Sequence, residues 1–398
     1  MHIPQRNLIK PTEFICLMAS IMLLTALAID IILPTFGAVR HHFGLGPEST
    51  ATAQLVTFFF LGQIGQIFFG VLSDRYGRLP VLRVGFLLYI GGCITTVMAP
   101  GLAWLLVARF IMGLGAGALF VSAIACVRDR FQGSEMARIM SLILTIFLTV
   151  PIVAPLLGSA ILLVGPWQVV FLTPASFAIV FFIWSFRLSE SLSEADRQPL
   201  ALASLIQSIR RVWSNRIFVR YTAITTILFA GFSSYIGSSE RMVGTIYGRP
   251  GLFVFIFASV GIIMALFTFL NAKLVARFGA RRTVRSLLTV YWILASILLG
   301  LTILLKGPVN MFIFFGLIAL LQGINVAAEP NSSALALEPM GSMAGMAASI
   351  YGTSYLVVGA LGGSFIDRLL VNSVTPLPVA YFMGGLAAML LVRTAPKR

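Results

Sequence analysis

Two charged side chains sit where the chain is otherwise built from apolar residues. Asp30 lies in TALAIDIILPTF (residues 25–36) and Arg109 opens RFIMGLGAG (residues 109–117). A carboxylate in such a segment is a proton-binding group: burial disfavours its charged form, and a nearby guanidinium favours it. A guanidinium left without a partner in hydrocarbon costs several kcal/mol, so Arg109 is expected to face a cavity and a counter-ion. Counted along their apolar runs, the two residues lie at matched depth, about 10 Å below one surface at about 1.5 Å per residue. Their spacing therefore permits a salt bridge. A titrating pair with water access that changes sides can load a proton on one side and release it on the other. A substrate touching the pair would couple the two fluxes. A buried pair of purely structural role is the alternative.

Other residues able to do chemistry are few. Glu240 and Glu329 stand at the ends of apolar runs, where each is either merely solvated or a substrate contact. Phe58, Phe59, Phe60 and Tyr89 line a cavity or fill a core. His2, His41 and His42 fall near a chain end or in a loop, and no metal site is expected from them. The run GLGAGA (residues 113–118) has no strand before it and no acid about 20 residues beyond, so its glycines read as helix-packing positions, not a dinucleotide fingerprint. No HExxH, phosphate loop or spaced nucleophile–base set is present, which argues against an enzyme.

The elements that must hold these residues follow from composition. Of 398 residues, 59% are hydrophobic and 10% charged, with a mean hydropathy of +0.98; a soluble domain carries roughly 25% charged residues. Apolar runs of about 20 residues recur, each long enough to cross a hydrocarbon core of about 30 Å as a helix. Twelve are expected: 14–37, 50–72, 80–99, 102–126, 137–162, 168–186, 217–238, 251–276, 283–305, 309–330, 342–366 and 376–393. The polar stretch 187–216 divides them into six and six. The expected organisation is a bundle over 1–186, a linker over 187–216 and a second bundle over 217–398. The fold class is thus an all-α integral membrane protein with two six-helix pseudo-repeats. Arg75-Tyr76-Gly77 and Arg277-Phe278-Gly279 hold the same place in each half, which favours parallel repeats with a substrate site at the midplane.

Charge placement sets the orientation. With the N-terminus cytoplasmic, only Arg40, Arg241, Arg249, Lys306 and Arg368 of the 28 Lys and Arg fall on the opposite side, and only Arg109 within a span. The net charge of +15 is therefore topogenic, faces lipid headgroups and is no nucleic-acid footprint. The three cysteines lie in apolar runs and form no disulfide framework. No small-residue cleavage site follows the first run, which reads as a retained helix. With no nucleotide-binding domain, transport must draw on an ion gradient.

GVLSDRYGRLP (residues 70–80) taken alone is a charged turn. It resembles the Gly-x-x-x-Asp-Arg-x-Gly-Arg-Arg loop of the major facilitator superfamily, with Leu79 where the family has its second Arg. The resemblance implies a cytoplasmic gate latch carried by Gly70, Asp74, Arg75, Gly77 and Arg78. An Arg followed by a glycine-rich run is typical of that family's fourth helix. In TVPIVAPLLGS (residues 149–159), Pro151, Pro155 and Gly158 weaken a helix and invite a kink. The string is similar to the antiporter motif of drug-exporting members, with Ser159 in place of a second Gly. QGINVAAEPNSSALALEPMGSMAGMAASIYG (residues 322–352), Asp30 with Leu33-Pro34, the pair Arg128-Asp129, Gln54 and Gln66 resemble the Bcr/CflA drug-resistance transporters.

That resemblance implies a proton-coupled multidrug antiporter of a bacterial inner membrane, exporting small amphipathic compounds by alternating access, monomeric and with both termini cytoplasmic. Asp30 and Arg109 would couple protons. Gln54, Phe58, Glu240, Glu329 and Asn331 would contact substrate. Glu240 stands where the subgroup is expected to carry Pro, and so marks a preference for cationic or zwitterionic substrates. The partners implied are drug molecules, protons and lipids, with no cofactor beyond the coupling proton. A transporter of a metabolite or sugar on the same fold is the alternative.

Overall fold

The computed structural model describes residues 9–197, 202–305 and 309–393. His2, Arg6, Lys306, Lys397, Arg398 and residues 198–201 of the linker lie outside them. Twelve helical stretches among the described residues are long and apolar enough to cross a membrane: Pro11–His42, Ala51–Tyr76, Arg78–Val97, Leu102–Arg130, Arg138–Val164, Trp167–Ser185, Arg216–Ile246, Pro250–Phe278, Ala280–Leu304, Met311–Gly341, Ala344–Leu369 and Pro376–Arg393. They are called spans one to twelve. In lipid the helix alone satisfies every backbone group within one segment, so uninterrupted apolar runs of this length become helices. Fold class and span number agree with the expectation; several ends and interruptions do not.

Span one was expected as one helix over 14–37. It runs as a helix over Pro11–Asp30, a short turn over Leu33–Thr35 and a second helix over Phe36–His42. The cause is Pro34. It has no N–H for the carbonyl of Asp30, and the Thr35 N–H bonds the Ile32 carbonyl at 2.9 Å instead of continuing the ladder. Span two is interrupted between Gly62 and Gly65. Span five, expected over 137–162, is a helix over Gly133–Phe147 and another over Val150–Val164, broken just before Pro151. Within the polar linker Leu202–Trp213 forms a helix, with Ile206 and Trp213 exposed along it.

The repeated Arg-aromatic-Gly string marks the same local structure twice. Gly77 joins spans two and three with φ of 104°, and Gly279 joins spans eight and nine with φ of 75°. Each N–H closes the preceding helix, on Ser73 and Val275 respectively. A side chain is strained in this left-handed region, so glycine ends one helix and starts the next.

By density of contacts the chain divides into two units. One comprises Met1–Thr35 and Phe58–Ala201, the other Phe36–Thr57 and Leu202–Arg398. This differs from a division at the linker alone, because residues 36–57 group with spans seven to twelve. Named bonds explain the grouping. Arg40 Nη2 donates to both carboxylate oxygens of Glu240, at 3.0 and 2.9 Å, and its Nη1 to Thr52 Oγ1 at 3.1 Å. Arg241 donates to the Glu48 and Val371 carbonyls, and Ser364 Oγ donates to Gln54 Oε1 at 2.8 Å.

In the first unit, spans two and three pack against span four through glycine. A side-chain carbon on Gly113 would strike the Phe59 carbonyl, and one on Gly62 would strike the Phe110 carbonyl. The GLGAGA glycines are thus packing positions, and close approach of this kind is what holds helices together where lipid supplies no hydrophobic drive. Tyr89 Oη reaches across to donate to the Leu24 carbonyl at 2.7 Å. Gly113→Val should therefore destabilise the purified protein by ~1–3 kcal/mol and lower its melting temperature in detergent by several degrees. An unchanged melting curve would mean the two helices do not meet at this glycine.

Candidate functional site

Asp30 closes the first helix of span one and is 5% exposed. With Thr35 turned back to Ile32, the Ile31 carbonyl leaves the helical ladder. It lies directly against Gly158 of span five, where any side chain would collide with it. Pro155 is buried inside the same helix, and Pro151 stands in its first turn. The proline-rich element of span five and the interruption beside Asp30 are therefore one packed feature.

Arg109 is completely buried. Its guanidinium lies over the Phe59 ring at 4.8 Å, and Nη1 approaches Met112 Sδ at 3.2 Å. Cys93 and Tyr89 of span three are its electrostatic neighbours. The expected salt bridge between Asp30 and Arg109 does not form: among the described ion pairs, neither residue meets the other. The reason is direction. Arg109 extends along its own helix to Met112 and across to the ring face of Phe59, a favourable seat for a guanidinium.

The charged loop between spans two and three is organised around Arg78. Its side chain is buried and bonds Asp74, Asp129 at 2.9 Å through Nε, and the Ser73 hydroxyl at 3.2 Å. Arg75, grouped with it by sequence, is exposed. Glu190 was not foreseen. Its carboxylate accepts the backbone N–H of Arg78 at 2.9 Å and of Leu79 at 3.0 Å, capping the start of span three. It lies against Gly77, where a side chain would strike it. An acid just past span six is a weak sequence signal, since nothing in its spacing points back to residue 78.

The residues expected to contact substrate are differently placed. Glu240 is committed to Arg40 by two bonds, which corrects its reading as a merely solvated or substrate-facing acid. Asn331 is buried and donates to Asn271 Oδ1 at 2.7 Å and to the Ala327 carbonyl at 2.8 Å. Gln54 accepts from Ser364, and Phe58, one turn further along the same helix, is half-buried. Glu329 is half-buried. Asp367 was missed. It is 1% exposed, and both the Ser234 and the Ser238 hydroxyls donate to its Oδ1 at 2.7 Å, with Arg241 in electrostatic range. The serines, four apart on one helical face, were the signal available. Gly70 lies on the second helix of span two. Among the described residues no group of three His, Cys, Asp or Glu could hold a metal ion.

The chain matches the profile of the Major Facilitator Superfamily over residues 18–394. It belongs to that superfamily. Members of the Major Facilitator Superfamily are membrane transporters, not enzymes. Similar proteins include a bicyclomycin resistance protein homolog of Haemophilus influenzae, 26% identical over 94% of this chain and 92% of that protein. Another is the multidrug resistance protein MdtL of Vibrio parahaemolyticus, 27% identical over 83% of each chain. Among solved structures, a D-xylose-proton symporter superposes with a TM-score of 0.73 at 14% identity, covering 96% of each chain. The human organic anion transporter MFSD10 gives 0.71 at 17%, covering 97% of this chain and 99% of that one. At such identities the structures establish the superfamily's fold alone.

The Arg40–Glu240 bond admits a direct check. Arg40→Met strands a carboxylate that is largely out of water and should cost ~3 kcal/mol, whereas Arg40→Met with Glu240→Leu should regain most of it. Melting temperatures of the wild type, Arg40→Met, Glu240→Leu and the double variant measure this, and additive losses in the double variant would show that the two side chains do not interact.

Proposed function

We propose that the protein is a proton-coupled efflux antiporter of a bacterial inner membrane, exporting small amphipathic compounds such as antibiotics by alternating access. The observation that carries this reading is the buried Asp30 carboxyl at the interruption of span one, where the next residue's carbonyl, that of Ile31, lies against Gly158 of span five. A titratable group inside a membrane-spanning helix is costly and is kept for function. Here it sits where the helix has already given up regular bonding. The names of the similar drug-resistance proteins supply the substrate class.

In this scheme Asp30 binds the proton and releases it on the other side. Arg109 supplies a fixed positive charge in the same unit without pairing directly with Asp30. Asp74, Arg78 and Asp129, with the Glu190 cap, tie the junction of spans two and three to span four and the linker, a latch on the cytoplasmic side. In this reading both termini are cytoplasmic, which the Lys and Arg bias supports. Gln54, Phe58, Glu329 and Asn331 are the substrate contacts, whereas Glu240 serves through Arg40. No cofactor is needed beyond the coupling proton.

Asp30→Asn preserves shape but holds no exchangeable proton. In everted vesicles, addition of exported drug should release protons from the wild type and not from this variant. In cells lacking their own exporters the variant should lose at least about tenfold in resistance across an antibiotic panel. Full resistance in the Asn variant would remove Asp30 as the carrier. Uptake of a sugar or metabolite by the wild type, without resistance to any drug, would overturn the efflux reading itself.

A further inference from the structure

Three acids in the unit holding spans seven to twelve are withdrawn from bulk water, and the protein treats them differently. Glu240 is bonded twice by Arg40. Asp367 accepts two serine hydroxyls and lies near Arg241. Glu329 has no Lys or Arg beside it among the described ion pairs. Its polar neighbour is the Tyr351 hydroxyl, which donates to the Glu329 backbone carbonyl at 3.3 Å and lies within reach of its carboxylate. A buried negative charge normally has a positive partner. At Glu329 none is found among the described residues.

The protein provides aromatic faces instead. Tyr351 and Tyr355 stand one turn apart on span eleven, with ring centroids 5.6 Å apart. Phe229 of span seven meets Tyr355 edge-on at 5.2 Å, and Phe232 continues the row at 5.7 Å from Phe229. Tyr355 is in electrostatic range of Glu329. Glu329, Tyr355 and Phe232 are each only half-buried, so acid and rings form one partly exposed cluster drawn from spans seven, ten and eleven. Pro330, immediately after Glu329, has no N–H and leaves the Val326 carbonyl without its helical donor, which adds another acceptor to that part of span ten.

We infer that Glu329, with the rings of Tyr351, Tyr355, Phe229 and Phe232, forms a recognition site for a lipophilic organic cation. This deepens the efflux reading and rests on it, since it names the charge class of the compounds carried. The carboxylate supplies the missing countercharge, and the ring faces attract a positive group by their quadrupoles while burying its apolar surface. The site prefers a delocalised or quaternary cation over a neutral molecule of equal size. A small hydrated cation, having no apolar surface to give up, gains little there.

Tetraphenylphosphonium and neutral triphenylphosphine oxide separate charge from aromatic bulk. Titration calorimetry on the full chain in lipid nanodiscs should show the wild type binding the cation at least about tenfold more tightly than the neutral compound. Glu329→Gln and Tyr355→Leu should each cut that ratio about tenfold, and Tyr355→Phe, which keeps the ring, should retain most of it. Equal affinities in the wild type, or a ratio that survives both Glu329→Gln and Tyr355→Leu in correctly folded protein, would overturn the site while leaving the resistance panel to decide the efflux reading. Binding of neither probe would also overturn it. Failure of that panel alongside an intact cation preference would instead strike the efflux reading and spare the site.

Discussion

Inside lipid every backbone carbonyl and N–H needs a partner from the protein, and a helix is the cheapest source. This architecture depends on where that rule is relaxed. Pro34 takes the donor from the Asp30 carbonyl, Pro155 from that of Pro151, and Pro330 from that of Val326. Two of these places carry the acids singled out for function, Asp30 and Glu329. The third lies in the helix whose Gly158 receives the Ile31 carbonyl. An interruption softens the helix where a side chain must change its protonation or its ligand, and close packing shields the exposed backbone. Asp30 and Gly158 are thus two sides of one local arrangement, although they are far apart in sequence.

Fixed charges follow a second rule. The charged clusters at the helix ends come with several hydrogen bonds each, as a desolvated charge demands. Arg78 has Asp74, Asp129 and Ser73, Glu190 has the amides of span three, and Arg40 has Glu240 and Thr52. These clusters stand at helix ends, where spare amides and carbonyls are available. Glu329 meets no Lys or Arg among the described ion pairs, and this is the ground on which a cationic ligand is assigned to it.

Much of the fold was legible because lipid enforces it. Runs of about 20 apolar residues leave little choice of structure, and Lys and Arg placement orders the loops. Arg75-Tyr76-Gly77 and Arg277-Phe278-Gly279 could be paired in advance because both glycines adopt a backbone that side chains resist. The Asp30–Arg109 contact could not be judged in the same way. Counting residues gives depth but not the direction each side chain takes around its helix, and Arg109 turned to Phe59 and Met112. Glu240 was misread because its partner sits in another span, and periodicity carries no record of such pairings. Asp367 was overlooked beside the conspicuous Arg368, although Ser234 and Ser238 shared a face. Residues 36–57 joined the later spans through individual side-chain bonds, which no shift in composition announces.

The bond between Arg40 and Glu240 also bears on how the protein is made. Its partners are separated by 200 residues, so a ribosome extending the chain at about 5–20 residues per second needs on the order of 10–40 s to deliver the second after the first. Throughout that interval the end of span one has entered the bilayer with a guanidinium still awaiting its carboxylate. The seat of Arg40 is therefore completed only when span seven emerges.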